Sequence, residues 1–479
     1  MQNLPTNRKN ILALGVACGG THMEFDAIVI GAGQAAKPLS YALADLDWKV
    51  AFIERAELGG TCVNTGCTPT KTMVASAQVA HYARNAAHWG VCANNVGVDL
   101  PAVVARKNNI VQSARDSIQK GIDQRPNIRL VRGHARFAAP HQIQVGIETF
   151  ESTKIFVDTG TRPKIPKIPG IDSVPFLTNA SIMELLEVPQ HLIVLGGGYI
   201  GLEFGQMFRR FGSQVTIVHT GQRLMPAEDE DIVKELQKTL EGEAISFQLS
   251  SRTTRIESRG REILLQMDTP AGQQTISGSH LLVATGRTPN TDELGLDQAG
   301  IVTDERGYIK TNGRMETGVP GVWALGDVKG GPAFTHISYN DFQIVYANLV
   351  EGQNRTIENR YLPYALFTDP QLGRVGITEQ QARASGKKFK MGVYPVSSVA
   401  RAKERGETAG LMKIIVDAAT DRILGAAILS SDGGEIVQIL GAMILASAPY
   451  TVLKGAVYIH PTMAEGFFGL MNSVKLVDR

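Results

Sequence analysis

The sequence predicts an α/β chain made of two similar parallel-sheet units and a C-terminal α+β domain, on three observations. Residues 27–54 read as a buried strand (AIVI), a glycine turn from Gly31 through Gly33 to Ala36, a helix with apolar periodicity, and a strand (KVAFIE) ending at Glu54. The same order recurs in HLIVLG, the turn Gly196-Gly197-Gly198-Tyr199-Ile200-Gly201, the helix LEFGQMFRRFG and the strand QVTIVH, which ends at His219. From first glycine to the end of the second strand, each copy spans 23 residues. Beyond roughly Tyr361 the pattern changes to alternating strands and two helices. Each repeat is a Rossmann-like dinucleotide-binding fingerprint, with glycines for the tight turn and close phosphate approach and, in the first copy, an acid for a ribose. Two copies imply two dinucleotides.

Composition narrows the class. With 479 residues and 43% apolar content the chain has room for roughly three domains of ~150 residues each. A net charge of +2 with no basic stripe gives no footing for nucleic acid or a membrane surface. The most apolar helical stretch, Ile436 to Ala448, contains Gln438 and is shorter than the ~18 residues of a membrane span, so it reads as core. Cys18, Cys62, Cys67 and Cys92 are the only cysteines, too few for a secreted disulfide framework, and a reducing cytoplasm is expected. Near the start, Arg8 and Lys9 precede a short apolar run, ILALGVA, and Cys18. MEFDAIVIGAGQ is a natural opening for the first sheet, so residues 1–22 are expected to be a disordered extension.

The stretch Gly59 to Lys71, GGTCVNTGCTPTK, holds Cys62 and Cys67 with four residues between them. A loop running into a helical turn brings such a pair within bonding distance, whereas a zinc site needs a second Cys/His pair that is not there. A helix expected from around Pro69 would turn its positive end toward Cys67, and Lys71 adds charge, so a thiolate is favoured. On spacing alone, two ordinary buried cysteines in a turn account for the same pattern.

The flanking residues resolve it by resemblance. The stretch is similar to the G-G-T-C-x4-C-x-P-[ST]-K segment of the class I pyridine nucleotide-disulfide oxidoreductases, which include dihydrolipoamide dehydrogenase, glutathione reductase and mercuric reductase, and it matches every fixed position. The resemblance implies that Cys62 is the interchange thiol that meets substrate, that Cys67 is the charge-transfer thiol against the flavin, and that Lys71 lies beside the flavin, paired with Glu203. It implies FAD on Gly31, Gly33, Ala36, Glu54, Gly60 and Thr61, with Gly326 and Asp327 from VWALGDV, where Asp327 accepts a ribityl hydroxyl. It implies a nicotinamide nucleotide on Gly196, Gly198 and Gly201, covered by Tyr199, with Gly286 and Arg287 in the return segment LLVATGRTPN. His460 and Glu465 in HPTMAE resemble the dyad that exchanges protons with the interchange thiol of the other subunit, so a homodimer with composite sites is expected. His336 is expected to be structural or near the flavin; His81, His88 and Cys92 are expected to be packing or surface residues.

The implied domains are an FAD-binding domain at 23–160 and 290–360, an NAD(P)H-binding domain at 161–289, and an interface domain at 361–479. His219 stands where NAD-specific relatives carry an acid, and Arg223 follows four residues on, so NADPH is expected, with NADH possible given Thr220. The expected activity is NAD(P)H-driven reduction of a small oxidised substrate: a disulfide, a thiol-reactive oxidant or a metal ion. The segment GCTPTKTMVASA resembles the mercuric reductase-like branch, but no cysteine follows Cys92, so the C-terminal Cys-Cys pair of true mercuric reductases is missing. Mercuric or copper reductase-like and dihydrolipoamide dehydrogenase activities are the alternatives, and a redox-sensing flavoprotein is the non-enzymatic one. No metal ligand set is expected.

Overall fold

The computed structural model describes residues 22–358 and 360–477. Two parallel five-stranded sheets carry the two fingerprints. In the first, strands run in the spatial order Val322–Ala324, Ile155–Val157, Ala27–Ile30, Val50–Glu54, Ile128–Arg132. In the second the order is Phe176–Leu177, His280–Val283, His191–Leu195, Gln214–Val218, Ile245–Gln248. The central strand Ala27–Ile30 is buried along its whole length, as expected of a parallel strand covered on both faces.

The glycine turns are forced by close approach. Gly31 has φ +95° and a Cβ there would lie 2.4 Å from the carbonyl oxygen of Asp158; Gly196 has φ +117° and its Cβ would lie 2.3 Å from that of Ala284. In both cases a side chain would strike the end of the neighbouring strand while the backbone occupied a region disfavoured for L-residues. The helices Ala36–Ala44 and Tyr199–Phe211 follow, sending Leu39 and Leu43, or Leu202 and Phe208, onto their sheets.

An antiparallel excursion interrupts each unit: Ala135–Glu151 in the first, Arg252–Gly278 in the second. His22–Glu24 adds a parallel strand beside Glu148–Glu151, so His22, placed by the sequence in the extension, belongs to a sheet. Residues 1–21, with Cys18, lie outside the described residues. Thr161–Pro163 pairs with Arg287–Pro289 in a two-stranded ladder where the chain passes between the two units.

The C-terminal part is a six-stranded antiparallel sheet in the order Pro363–Leu366, Gln371–Gly376, Ile423–Ser430, Leu411–Asp417, Phe389–Pro395, Lys475–Leu476. Helix Gly433–Leu445 packs on it through Ile436, Val437 and Leu440. The stretch expected to be core is core on one face only: Ile439 and Leu445 are exposed, as are Val452, Val457, Ile459 and Phe468 around the C-terminal histidine. Such an apolar surface is what a second subunit would cover. Ion pairs made by buried cations clamp the second unit to this sheet, with Arg374 on Glu228 and Asp229, Lys413 on Asp231, and Arg210 on Asp369. Among the described residues no helix is long and apolar enough to cross a membrane.

Candidate active site

The two cysteines sit on consecutive helices. Cys62 lies in the short helix Gly60–Asn64 and Cys67 opens the helix Cys67–Arg84, two residues earlier than Pro69 suggested. Pro69 is still tolerated there because a first-turn residue has no helical partner for its missing N–H. Asn64 braces the turn by donating to the carbonyls of Gly60 (2.9 Å) and Leu58 (3.0 Å), and Arg115 Nε donates to its side-chain oxygen at 2.6 Å.

The pair is electrostatically split. The Cys67 thiol is pulled down to about 6, first by a hydrogen bond from Cys62, then by the Thr335 hydroxyl and the Lys71 charge; its Sγ is 3.1 Å from Thr335 Oγ1. The Cys62 thiol is pushed up by that same bond and by burial. When the pair carries a single negative charge, these causes favour it on Cys67. Lys71 Nζ meets Glu203 Oε2 at 2.7 Å, and Glu203 Oε1 accepts the Phe367 N–H at 2.9 Å.

A cavity of about 1380 Å³ holds both cysteines. Its lining includes Gly31, Gly33, Glu54, Gly60, Thr61, Lys71, Tyr199, Glu203, Arg287, Asp327 and His336; Ala36 is buried in the first helix turn beside it. This exceeds the ~300–1,000 Å³ usual for drug-sized ligands, as an extended dinucleotide requires. The glycines form a cradle that side chains would fill: a Cβ on Gly33 would lie 2.5 Å from Asp158 Oδ2, and one on Gly60 would lie 3.0 Å from the Gly33 Cα. These residues fit FAD. Gly326 has φ +65° and sits against Asp158, and Asp327 Oδ2 accepts from Thr161 Oγ1 at 3.1 Å. Arg287 ties the same threonine down, Nε to Oγ1 at 2.6 Å and Nη2 to its carbonyl at 2.7 Å, immediately after Gly286. Burial pushes the Asp327 carboxyl up.

The second fingerprint keeps the loop geometry of the first with a different side chain. Glu54 Oε2 accepts the Ala32 N–H at 2.7 Å; at the matching position His219 Nδ1 accepts the Gly197 N–H at 3.3 Å. An accepting Nδ1 carries no proton, and burial lowers the imidazole's pKa, so a neutral ring replaces a carboxylate. Its Nε2 is buried without a hydrogen-bond partner. Arg223 donates to the carbonyls of Pro226 (2.6 Å) and Glu228 (3.1 Å). Gly198 and Gly201 flank Tyr199 at the helix start, and a Cβ on Gly201 would lie 2.0 Å from the Gly196 carbonyl oxygen. The Tyr199 hydroxyl reaches Glu228 Oε1 at 2.9 Å.

His336 lines the cavity, stacks on Phe334 with ring centroids 5.5 Å apart, and holds the Pro363 carbonyl oxygen 2.6 Å from its Nε2. His460 Nδ1 is 3.0 Å from both carboxylate oxygens of Glu465. His460 is exposed and Glu465 half-buried, and both lie outside the cavity that contains Cys62. Cys92 is exposed and also outside it.

Five residues of the site escaped the sequence reading. Asp158 is fully buried, and its Oδ2 accepts the N–H groups of Ala35 (3.1 Å) and Ala36 (2.9 Å); the signal was an acid directly after the apolar strand Ile155–Val157. Thr335 directly precedes His336 and carries no motif of its own. Glu228 hides in the charge run of 228–231, and Tyr364 and Arg374 lie on strands with no local mark of function.

The pyridine nucleotide-disulphide oxidoreductase family profile matches residues 25–341, and the dimerisation domain of that family matches residues 362–469. The chain is 37% identical to the probable pyridine nucleotide-disulfide oxidoreductase RclA of Escherichia coli (strain K12), across 94% of this chain and 100% of that protein. It is 33% identical to a mercuric reductase of Staphylococcus aureus, across 92% of this chain and 81% of that one. It is 34% identical to a dihydrolipoyl dehydrogenase of Thermus scotoductus, across 95% and 98%. The solved structure of the HOCl-induced flavoprotein disulfide reductase RclA of E. coli superposes with a TM-score of 0.86 at 36% identity, over 94% of this chain and 100% of that one, as does its Cu(II) complex. Two matched domains spanning most of the chain, and relatives aligned nearly end to end, place this protein in the pyridine nucleotide-disulfide oxidoreductase family, as a flavoprotein enzyme that uses FAD and a nicotinamide nucleotide.

Proposed function

We propose that the protein takes electrons from NADPH and delivers them, by way of Cys62 and Cys67, to a small oxidised substrate, either a disulfide or a thiol-reactive oxidant. The observation that carries this reading is geometric: Cys62 and Cys67, on consecutive helices, line one cavity with the glycine cradle and the Lys71–Glu203 ion pair, and the Cys67 thiol is lowered to about 6. Bound FAD would supply two-electron transfer between the nucleotide and the cysteine pair. Gly31, Gly33, Gly60 and Thr61 would cradle it, Glu54 and Asp327 would face its hydroxyls, and the Lys71–Glu203 pair would hold a fixed charge beside its ring.

For a disulfide R–S–S–R, the protonated Cys62 needs a base before it can attack. His460 of the partner subunit takes that proton, with Glu465 orienting the ring and stabilising its charge. The Cys62 thiolate bonds to one substrate sulfur, and the other leaves as a thiolate that receives the proton from the same imidazole. Cys67 then attacks Cys62 Sγ, releasing the second thiolate and closing the Cys62–Cys67 disulfide. Exposure of His460, outside its own subunit's cavity, supports an acting-in-trans role and a homodimer with composite sites.

NADPH is preferred over NADH in this reading because a neutral His219 keeps the loop bond without repelling a 2′-phosphate. The three-part division, 23–160 with 290–360, 161–289 and 361–479, corresponds to FAD, nucleotide and dimer functions. A cycling disulfide suits a reducing cytoplasm. A second reading, reduction of a metal ion, is favoured by one particular observation, the Cu(II) complex of the similar RclA.

Anaerobic titration with NADPH and with NADH tests the proposal. A long-wavelength thiolate-to-flavin band at half reduction with NADPH, followed by decay on adding a disulfide or hypochlorous acid-type oxidant, is the expected result. Decay only with Cu(II) or Hg(II) would select the second reading, and flavin bleaching without the band would take the cysteines out of the electron path.

A further inference from the structure

We propose that Glu228 is the catch of the Tyr199 gate, and that Tyr364 sets how tightly the catch holds by sharing the same carboxylate oxygen. The inference rests on the reading that Tyr199 covers the nicotinamide site.

Glu228 lies in the segment before helix Glu230–Gly242, and its side chain is completely buried. Its Oε2 accepts two bonds from Arg374, Nε at 3.0 Å and Nη2 at 2.8 Å. Its Oε1 accepts two phenols, Tyr199 at 2.9 Å and Tyr364 at 2.5 Å, whose rings meet edge to face at 5.9 Å. Burial pushes both phenols' pKa values up, so both remain donors.

The two phenols are not equally free to leave. Tyr364 belongs to strand Pro363–Leu366 and its ring stacks on Phe334, centroids 5.2 Å apart and planes 7° apart, so it is anchored on the far side. Tyr199 stands at the first position of its helix and, although both phenols line the cavity, its ring lacks the stack on Phe334. When Tyr199 swings away, Glu228 keeps both Arg374 bonds and the Tyr364 bond, so no buried charge is stranded. Opening thus costs one hydrogen bond to a charged acceptor and the edge-to-face contact with Tyr364, and no buried charge. Because Oε1 divides its charge between two donors, deleting one strengthens the other.

The catch spans two parts of the fold. Tyr199 and Glu228 come from the second sheet unit; Tyr364 and Arg374 come from the C-terminal sheet. The gate's resting position therefore depends on how these two parts are docked.

The test is anaerobic stopped-flow reduction of the FAD-loaded dimer by NADPH, which separates nucleotide affinity from the limiting reduction rate. Tyr199→Phe keeps the ring but frees it, and its apparent Kd should fall about tenfold. Tyr364→Phe leaves Tyr199 as sole donor to Oε1, so Kd should rise severalfold. The double variant should match Tyr199→Phe alone, because no tether is left to tighten. Additive effects, or no change in Tyr364→Phe, would overturn the sharing. Tyr199→Ala separates the two readings. An altered Kd in Tyr199→Ala with a wild-type Kd in Tyr199→Phe leaves the gate standing and removes the catch. Wild-type Kd in both removes the gate itself and the catch with it.

Discussion

Replacing Cys62 by alanine tests the electrostatic core of the site. In the intact pair the Cys67 thiol is lowered to about 6, and the largest cause is the hydrogen bond from Cys62; Thr335 at 3.1 Å and the Lys71 charge contribute less, against burial. Cys62→Ala removes the leading cause and leaves the other two. The Cys67 pKa should therefore rise from about 6, because burial then opposes only Thr335 and Lys71. The sign follows from the direction of the shift. A depressed acid holds its charge above its folded pKa, so the thiolate-to-flavin band should be full at alkaline pH and fade as pH falls through the pKa. The assay is that band in FAD-loaded protein, titrated from about pH 5 to 9, for reduced wild type and for Cys62→Ala. Wild type should lose the band near pH 6 and the variant at a higher pH. Coincident curves would refute the pairing, because Lys71 and the helix end would then set the thiolate alone. Disulfide turnover should be absent in the variant with FAD still bound.

Three further outcomes follow from other parts of the molecule. Arg374→Met strands the buried carboxylates of Glu228 and Asp229, and should cost about 3–5 kcal/mol in denaturant unfolding; a loss below about 1 kcal/mol would mean that water or a rearrangement replaces the guanidinium. His460→Gln should lower disulfide turnover by about 10²–10⁴ without slowing flavin reduction by NADPH. Mixed dimers of His460→Gln with Cys62→Ser should regain part of that activity, and failure to do so would argue against composite sites. His219→Glu restores the acid that accepts a ribose 2′-hydroxyl, so kcat/KM should shift from NADPH toward NADH by about tenfold or more; an unchanged ratio would show that nucleotide choice lies elsewhere.

Much of this protein was written in local sequence. Strand, glycine turn and helix are short-range features, set by apolar runs and by backbone conformations that few residues tolerate, so both fingerprints and their 23-residue spacing could be read directly. The cysteine pair and the HPTMAE segment were legible for the same reason, each being a compact motif. What only the tertiary structure decided was how distant residues meet. Thr335 reaches Cys67 across 268 positions, Arg374 reaches Glu228 across 146, and Tyr364 reaches the same carboxylate across 136. None of these has a periodicity or a neighbour that announces it. A buried carboxylate such as Asp158 or Glu228 looks in sequence like any surface acid, because its charge acquires meaning only when folding removes water and brings its donors into place.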